Sequence, residues 1–361
     1  MRVLYFGSYE RDYPRNSQVI SCLRGAGVEV TEMHVRVWDG QRHKFSPGIR
    51  SLPRAIAAEA RLAFKSAGNA DVLIVGYPGH LDLPAARRAG RGRPVVFNPL
   101  VSLEDTIVGD RRLANPRSPK ARAIRLIDRL AFRSADLVVA DTSAHARYFL
   151  QHFALPIERV AVCYVGAEDR LFNPGRRDVA GFQVLFVGKL IPLHGLGTIL
   201  AAASLCPDIE FRIVGSGQLD GLLSSRPRNV SWEPWVEYER LPDLYRSAAC
   251  ALGIFGTSDK AARVIPNKAF QALATETPLI TGDTPAAHEL LESERDALLV
   301  PPGDAESLAA AVRRLAADPA LGNRLARAGR ATYAMHASEE ALGVRWRGLL
   351  EDLVEGRGAS G

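Results

Sequence analysis

Residues 183–205 (QVLFVGKLIPLHGLGTILAAASL) constrain the fold more than any other stretch of this chain. Residues 184–187 form a short unbroken apolar run, which is typical of a strand buried on both faces of a parallel sheet. After Gly188, the apolar residues from Leu196 to Ala203 recur with the spacing of a helix. The sequence therefore predicts a buried strand that enters a helix through a glycine-containing loop.

The loop between this strand and this helix carries groups that can bind a phosphate. Gly188 and Gly195 let the backbone approach a ligand closely, and Lys189 and His194 can add positive charge. The N-terminus of the following helix supplies free N–H groups and a partial positive charge. We therefore predict a diphosphate site here. Spacing alone leaves a second interpretation open, an ordinary strand-to-helix turn with a solvated lysine.

The same alternation of short apolar strands and helices runs through both halves of the chain. In the first half, strands are predicted at residues 3–6, 28–35, 71–75, 94–97, 135–140 and 159–165. In the second half, they are predicted at residues 184–187, 211–214, 230–232, 250–255, 278–281 and 297–300. Alternating strands and helices indicate parallel, doubly wound sheets of the α/β class.

A length of 361 residues fits two domains of this kind. Residues 167–181 are polar, rich in proline and glycine and without periodicity, so we interpret them as the linker. The expected domains are residues 1–170 and 182–336, followed by a C-terminal helix at 337–361. The helical region that starts at Ala305 is expected to break near Pro319 and His336.

Composition limits the classes of partner. The net charge of +6 is compatible with nucleic acid, an anionic membrane or phosphorylated substrates, and equally with an arginine-rich genome. The four cysteines contain no CxxC pair, so neither a metal site nor a disulfide framework is expected. No apolar run approaches the length of a signal core or a membrane span. We therefore expect a cytoplasmic protein.

Ligands of doubly wound sheets bind beyond the carboxyl ends of the strands. In the first half, this rule selects the loops that follow Phe6, Val75 and Phe97. Glu104 and Asp105 lie in the loop after the last of these strands, so Asp105 becomes a catalytic candidate. An acidic pair in a loop is more often simply solvated. The predicted ligand contacts in these loops, which become acceptor contacts under the resemblance described below, are Ser8, Tyr9, Tyr77 and Asn98.

Residues 111–134 are strongly basic and carry an apolar stripe at helical spacing. A basic amphipathic helix can lie on an anionic membrane or face a phosphorylated partner. The alternative is a surface helix that packs on the sheet. We therefore keep peripheral contact with the inner face of a membrane as one expectation for the region from Arg111 to Arg133.

Five motifs of the second half, in this order, resemble the donor domain of GT-B glycosyltransferases of family 4. They are GKLIPLHG, FRIVGSG, VSWEPWVEYERLPDLY, GIFGTSDKAARVIPNKAFQALATETPLITGD and LLVPPGDAESLAAAV. The first half is similar to a subgroup of that family through FGSYERDYPRN, NPLVSLEDT and VVADTSAH. The resemblance implies two Rossmann-like domains facing across a cleft. It also implies a nucleotide-sugar donor in the second half, an acceptor in the first, and transfer with retention of configuration and without metal or cofactor. The C-terminal helix is expected to return to the first domain.

The resemblance also assigns individual residues. The family has Arg and Lys in the first donor loop, where this chain has Lys189 and His194. It has two Glu eight positions apart, where this chain has Arg263 and Gln271. The candidate catalytic residues are Asp105, Lys189 and Arg263. The candidate donor contacts are Gly7, Gly188, Lys189, His194, Gly195, Gly215, Trp235, Phe255, Gly256, Thr257, Asn267, Lys268 and Gln271.

Three other functions are alternatives for a chain with this sequence. Loss of the Glu pair is compatible with a non-catalytic protein of the same fold that binds sugar nucleotides or glycans. The motif FRIVGSGQLDG (residues 211–221) matches a dinucleotide-binding fingerprint weakly, since its third glycine falls one position late. An oxidoreductase is therefore the less favoured alternative. Nucleic-acid binding is not expected, because basic and aromatic residues do not interleave.

Overall fold

The computed structural model describes residues 1–11, 13–37, 52–175 and 181–358. Residues 176–180 of the predicted linker lie outside the described residues. The chain divides into two compact units. The first unit comprises Met1–Tyr164 and Glu339–Gly361, and the second comprises Val165–Ser338. The domain limits predicted from the sequence remain a prediction.

Each unit is built on a six-stranded parallel sheet, so the two Rossmann-like domains predicted from the sequence are confirmed. The first sheet has the order β2-β1-β3-β4-β5-β6 and the second β12-β11-β10-β7-β8-β9. The strands of the first sheet are β1 (Arg2–Gly7), β2 (Glu29–His34), β3 (Val72–Val75), β4 (Val95–Phe97), β5 (Leu137–Ala140) and β6 (Val160–Val162). Those of the second are β7 (Gln183–Val187), β8 (Glu210–Val214), β9 (Val230–Glu233), β10 (Cys250–Leu252), β11 (Leu279–Gly282) and β12 (Leu298–Val300).

Helices connect the strands and cover the sheets. They are α1 (Pro14–Gly25), α2 (Leu52–Ala63), α3 (Leu83–Gly90), α4 (Pro119–Ser134), α5 (Ser143–Phe153), α6 (Leu196–Leu205), α7 (Leu241–Ser247), α8 (Asn267–Ala274), α9 (Ala305–Ala317), α10 (Pro319–His336) and α11 (Glu339–Gly358). The predicted breaks near Pro319 and His336 are confirmed, since α10 begins and ends at these residues.

Several predicted element boundaries were wrong, among them the end of β6, which lies at Val162 rather than at residue 165. Helix α1 begins at Pro14, five residues before the predicted start, because proline suits the first turn of a helix, where its missing N–H costs nothing. Helix α2 ends at Ala63 rather than at residue 67. Strand β10 ends at Leu252 rather than at residue 255, and the Ile254 amide donates to the side-chain oxygen Thr281 Oγ1 (3.3 Å).

Helix α11 belongs to the first unit and packs on α1. Trp346 is fully buried there, with the Arg15 guanidinium 5.7 Å from its ring centroid. A Cβ on Gly343 would lie 2.6 Å from the Cys22 carbonyl oxygen, so a glycine is needed for this close helix contact. The four cysteines are all buried free thiols.

The start of the predicted linker packs on the second unit. Phe172 is fully buried, and its ring centroid lies 5.6 Å from that of Tyr238 and 6.1 Å from that of Tyr245. Tyr333, on α10, donates its hydroxyl to Asp169 (2.6 Å). Residues 167–175 therefore form part of the packed body of the second unit, although their composition resembles a free connection.

Backbone contacts between glycine loops hold the carboxyl edge of the second sheet together. Gly215, after β8, has φ +133°, and a Cβ there would lie 2.0 Å from the Gly188 carbonyl oxygen. Gly217 approaches the Leu190 carbonyl in the same way, with a Cβ distance of 2.7 Å. The G-x-G of residues 215–217 is thus explained by loop packing, which removes the sequence argument for an oxidoreductase.

We expect Gly215→Ala to lower the free energy of unfolding by about 3 kcal/mol, because the left-handed backbone geometry alone costs roughly 1–3 kcal/mol and the Cβ overlaps the Gly188 carbonyl. Gly221→Ala is the matched control, since no atom lies within 4 Å of its Cβ position. It should change stability by less than about 0.5 kcal/mol. Urea denaturation of the two variants checks this, and equal effects would contradict the packing argument.

Candidate functional site

The loop between β7 and α6 has the geometry expected of a phosphate-binding turn. Gly188 and Gly195 both have positive φ, at +150° and +69°. His194 is buried, its Nδ1 donates to the Lys189 carbonyl, and its ring lies 5.7 Å from that of Phe186. The Lys189 side chain is exposed beyond this turn. The loop at the N-terminus of α6 thus has the buried imidazole of His194 and the solvent-exposed ammonium of Lys189.

Lys268, on the first turn of α8, points into this loop from the other side. Its side chain is only 5% exposed, and its Nζ lies 4.6 Å from the centroid of the Phe186 ring. A Cβ on Gly188 would lie 2.8 Å from that Nζ and 3.2 Å from His194 Cε1. In the described parts of the chain, Lys268 has no hydrogen-bond or ion-pair partner. Burial without a partner holds the pKa of Lys268 well below its ordinary value.

The segment after β10 completes this side of the loop. A Cβ on Gly195 would lie 2.6 Å from the Phe255 carbonyl carbon, and one on Gly256 2.4 Å from the Leu193 carbonyl oxygen. The Phe255 amide donates to the His194 carbonyl (3.2 Å) and its own carbonyl accepts from Gly303 (3.0 Å). The peptide groups of Phe255 are therefore occupied. The amides of Gly256 and Thr257 donate to no group in the described residues and are better placed to meet a ligand.

The positions that replace the family's Glu pair lie on this segment and on α8. Gln271 is buried, and its Oε1 accepts from the Tyr245 hydroxyl (3.1 Å). Arg263 ends the single helical turn Ala261–Arg263. Asn267 is the first residue of α8, next to Lys268. The structure thus brings Lys268 together with Gly188 and His194, and it anchors Gln271 on Tyr245.

Trp235 follows β9, in the loop beside that of Gly215. Its side chain is 70% exposed. The neighbouring Trp232 instead turns inward and donates Nε1 to the Gly215 carbonyl (2.9 Å). An exposed aromatic ring at the carboxyl edge of the sheet remains a prediction for a donor contact.

In the first unit, the loop after β1 is held by an acid that sequence reasoning missed. Asp82 is fully buried and accepts from the Ser8 amide (2.7 Å) and from the Ser8 hydroxyl (2.9 Å). A Cβ on Gly7 would lie 2.2 Å from Asp82 Oδ2. Burial and the neighbouring Asp82 raise the pKa of Glu59 to about 10. Ser8 and Gly7 therefore serve this buried network.

Two other predicted acceptor residues also turn inward. Tyr9 is fully buried and donates its hydroxyl to Glu32 (2.8 Å). Asn98 is buried and its amide oxygen accepts from Arg15 Nε (3.0 Å). Arg15, which sequence reasoning missed, is fully buried and also donates to the carbonyls of Cys163 and Tyr164 (3.2 and 2.7 Å). This arginine joins the ends of β4 and β6 without a carboxylate.

Tyr77 shares a ring contact with Tyr13, at a centroid distance of 4.6 Å. The peptide bond between Tyr77 and Pro78 is cis. The Tyr77 amide donates to Asn16 Oδ1 (2.9 Å) and its carbonyl accepts from Asn16 Nδ2 (2.7 Å). The loops after β1 and β3 are thus fixed to each other through one asparagine.

Asp105 opens the π-helical turn Asp105–Asp110, and its amide donates to Ser102 Oγ (3.1 Å). A second acid, Asp128 on α4, holds this turn from below. Fully buried, it accepts from the Ser102 hydroxyl (2.7 Å) and from the amides of Leu103 (3.1 Å) and Glu104 (2.8 Å). Sequence reasoning missed Asp128, which lies inside the basic helix, although an acid in the middle of an apolar stripe is a usable signal.

His80 connects the loop after β3 to the same acid. Its Nδ1 donates to the Pro78 carbonyl and its Nε2 lies 3.4 Å from Asp128 Oδ1. Phe97 and Phe132 flank the ring, with centroids at 5.1 and 6.0 Å. Burial lowers the pKa of His80, and this effect outweighs the opposing attraction of Asp128.

Two family models match the chain. The model described as glycosyl transferases group 1 matches residues 181–318, and the model of the glycosyl transferase 4-like domain matches residues 2–166. The chain belongs to the GT-B glycosyltransferases of group 1. The family expectation drawn from the ordered motifs is therefore confirmed.

Among curated proteins, this glycosyltransferase is similar to the D-inositol 3-phosphate glycosyltransferase of Nocardiopsis dassonvillei. The two are 28% identical over 305 residues, which cover 77% of this chain and 67% of that protein. The matched region covers 67%, 61% and 42% of the length of three such curated relatives.

Solved structures confirm the fold over the whole chain. Sucrose-phosphate synthase from Thermosynechococcus elongatus matches with a TM-score of 0.74 and 19% identity, covering 98% of this chain and 99% of that one. Anabaena HepE in complex with UDP-glucose matches with a TM-score of 0.71 and 16% identity, covering 98% and 100%. Within the part of the chain described, no helix is long and apolar enough to cross a membrane, and no group of three or more acids, histidines or cysteines is placed to hold a metal ion.

We expect His80 to make the protein less stable in mild acid. The folded state holds the imidazole neutral, whereas the unfolded chain binds a proton at its ordinary pKa of 6.5. Stability should therefore fall as pH drops below about 6.5, by up to about 1.4 kcal/mol per pH unit from this residue. His80→Asn should flatten the dependence between pH 7 and pH 5.

Thermal denaturation across that pH range measures this effect. His152→Asn is the matched control, because His152 is exposed and lies near Glu104. It should leave the acid slope of the wild type in place. An unchanged slope in His80→Asn would show that other groups cause the acid sensitivity.

Proposed function

We propose that this protein transfers a sugar from a nucleoside-diphosphate sugar to a hydroxyl group of an acceptor. The observation that carries the proposal is the buried amino group of Lys268, which has no hydrogen-bond or ion-pair partner among the described residues and lies beside Gly188 and the N-terminus of α6. A buried cation without a partner is costly unless an anion joins it. A diphosphate that rests on Gly188 would meet Lys268, the amides of α6 and the exposed Lys189.

Such a site favours departure of the diphosphate. The bond between the anomeric carbon and the diphosphate oxygen breaks, and its electron pair stays on that oxygen. The acceptor oxygen bonds to the anomeric carbon from the same face, and its proton passes to the departing diphosphate. Cations and amides preset around the leaving group stabilise the negative charge that develops there. Because the acceptor attacks the face that the diphosphate leaves, we propose that the configuration is retained. Because Lys268 and Lys189 supply the positive charge, we propose that no metal or cofactor is needed.

The names of similar proteins support the donor class. Solved structures of HepE contain UDP, UDP with glucose, and UDP-glucose. We propose that the second unit holds the nucleotide sugar and the first unit the acceptor, with Asp105 and Arg263 as further catalytic candidates. The acceptor classes that fit are a glycan, a lipid-linked sugar or a small aglycone. A non-catalytic binder of sugar nucleotides is the remaining alternative, because Arg263 and Gln271 replace the family's Glu pair.

A ligand panel tests the donor proposal. UDP-, GDP-, ADP- and dTDP-sugars are added to the wild type and to Lys189→Met, and the midpoint of thermal unfolding is measured. We expect one nucleotide series to stabilise the wild type by roughly 2.7 kcal/mol at about 100 times its dissociation constant. Lys189→Met should bind that series at least about tenfold more weakly, since it loses one charge from the loop.

Release of free nucleoside diphosphate then separates an enzyme from a binder. A binder leaves the stabilising donor intact over hours, whereas a transferase releases the diphosphate slowly to water and faster with acceptor. Activity that persists after treatment with EDTA would support the metal-free step. If no sugar nucleotide shifts the midpoint, the donor proposal is wrong.

We further propose that α4 carries a contact surface for an anionic membrane. Its solvent face presents Arg122, Leu126, Arg129, Leu130 and Arg133, with Leu126 57% and Leu130 59% exposed. These positions share one helical face. The single acid of the helix, Asp128, is buried beneath it. Exposed leucines between arginines match the chemistry of a bilayer surface with anionic headgroups. The protein would then be cytoplasmic and peripheral at the inner face of the membrane.

Sedimentation with lipid vesicles tests this surface. We expect the wild type to bind vesicles that contain phosphatidylglycerol and to bind those of pure phosphatidylcholine at least about tenfold more weakly, since each basic residue contributes about 1 kcal/mol. The double variant Leu126→Glu, Leu130→Glu should lose the binding. Ile157→Glu, at a position 71% exposed in the same unit, is the control and should retain it. Equal binding by both variants would contradict the proposal.

A further inference from the structure

The surroundings of Lys268 leave its charge uncompensated. The centroid of the Phe186 ring on β7 lies 4.6 Å from its Nζ, and the Nζ and the His194 ring both border the space at Gly188. The His194 ring donates to the Lys189 carbonyl through Nδ1. No described carboxylate forms an ion pair with Lys268. An aromatic face compensates a buried ammonium poorly.

A second feature shows what would occupy the space beside this lysine. Gly195 is the N-cap of helix α6, and its carbonyl accepts the first backbone bond of the helix, from the Ile199 amide (3.2 Å). The amides of residues 196–198 therefore have no backbone acceptor in the described chain. They add the positive end of a helix of ten residues to the same loop. A neutral lysine and free amides together form a site that is ready for an anion.

We infer that Lys268 is an amine while the site is empty and takes up one proton from solvent as the donor's diphosphate binds, becoming the ammonium that neutralises the leaving group. The inference rests on the proposed function and adds to it the charge state of the site. Proton balance is simple: the free amine and one solvent proton give an ammonium, and the phosphate oxygens keep their charge. Lys268 then contacts the departing diphosphate and is a catalytic residue.

Proton uptake has a measurable consequence for affinity. Above about pH 7.5 the terminal phosphate of a nucleoside diphosphate is deprotonated, so this ligand does not change its charge there. We then expect Lys268 to be the group that gains the proton on binding. Because one proton is linked to binding, the affinity should fall by up to about tenfold for each pH unit. Burial lowers the pKa of the empty-site lysine, and the bound diphosphate raises it again.

Titration calorimetry tests the inference. UDP, GDP, ADP, dTDP and inorganic pyrophosphate are titrated into the wild type at pH 7.5, 8.5 and 9.5, in two buffers of different ionisation enthalpy. The difference in heat between buffers gives the number of protons taken up. We expect uptake approaching one proton with one of the nucleotides, together with the fall in affinity, whereas pyrophosphate, which titrates in this range itself, tests binding alone.

Three variants separate charge from structure. Lys268→Met should lose at least tenfold in affinity at pH 7.5, and Lys268→Arg should bind with no proton uptake and no pH dependence, because arginine stays charged. Lys189→Met should bind more weakly but keep the uptake of the wild type. Lys268→Met should also unfold at a higher temperature than the ligand-free wild type, since it removes a desolvated amine, and this shows that the variant is folded.

The outcomes distinguish the two proposals. Binding without proton uptake, or wild-type affinity in Lys268→Met, overturns the inference and leaves the donor proposal in place. If neither pyrophosphate nor any of the nucleotides binds the wild type, the donor proposal fails and the inference fails with it.

Discussion

The second unit depends on contacts between backbones that only glycine permits. The Gly188 carbonyl lies where a Cβ on Gly215 would be, and Gly195 and Gly256 face carbonyls in the same way. These contacts draw the loops after β7, β8 and β10 into one layer at the carboxyl edge of the sheet. Few side chains enter the space in which a phosphate would rest, and the described residues offer amides, His194 and the two lysines Lys189 and Lys268 around it. The anion site is therefore formed by glycines, which leave space for the ligand beside the backbone amides, more than by polar side chains.

Lys268 shows why such a site lowers the stability of the folded protein when no ligand is bound. A desolvated amine without a partner contributes nothing favourable to the empty protein, and a methionine of similar volume would pack against Phe186 at lower cost. The first unit solves the same problem differently. Fully buried Arg15 is surrounded by two carbonyls, an amide oxygen and the Trp346 ring, so its charge is compensated within the fold. The contrast indicates that Arg15 has a structural role and that Lys268 has a role in binding a ligand.

Local patterns predicted the fold well, because a buried parallel strand needs an apolar run and the loop after it needs a glycine. All twelve strands and the helix breaks near Pro319 and His336 follow from such patterns. The direction of individual side chains could not be predicted from these local patterns. Tyr9 and Asn98 stand in the right loops and yet turn inward, because Glu32 and Arg15 approach them from elements distant in sequence. Asp82 and Asp128 were missed for the same reason, since a buried acid is recognised by the amides that reach it.

The residues that differ from the family pattern together change the charge around the proposed diphosphate site. Where the family has two carboxylates, this chain has Arg263 and Gln271, and Gln271 is held by a neutral tyrosine hydroxyl. Where the family has a permanently charged arginine, it has Lys189. The substitutions remove two negative charges near the diphosphate, while Lys268 is a cation that can be neutral when no ligand is present. In the empty site, a charged Lys268 would repel the neighbouring cation of Lys189. An amine that gains its proton together with the anion removes that repulsion, so the loss of the Glu pair and the burial of Lys268 are parts of one arrangement.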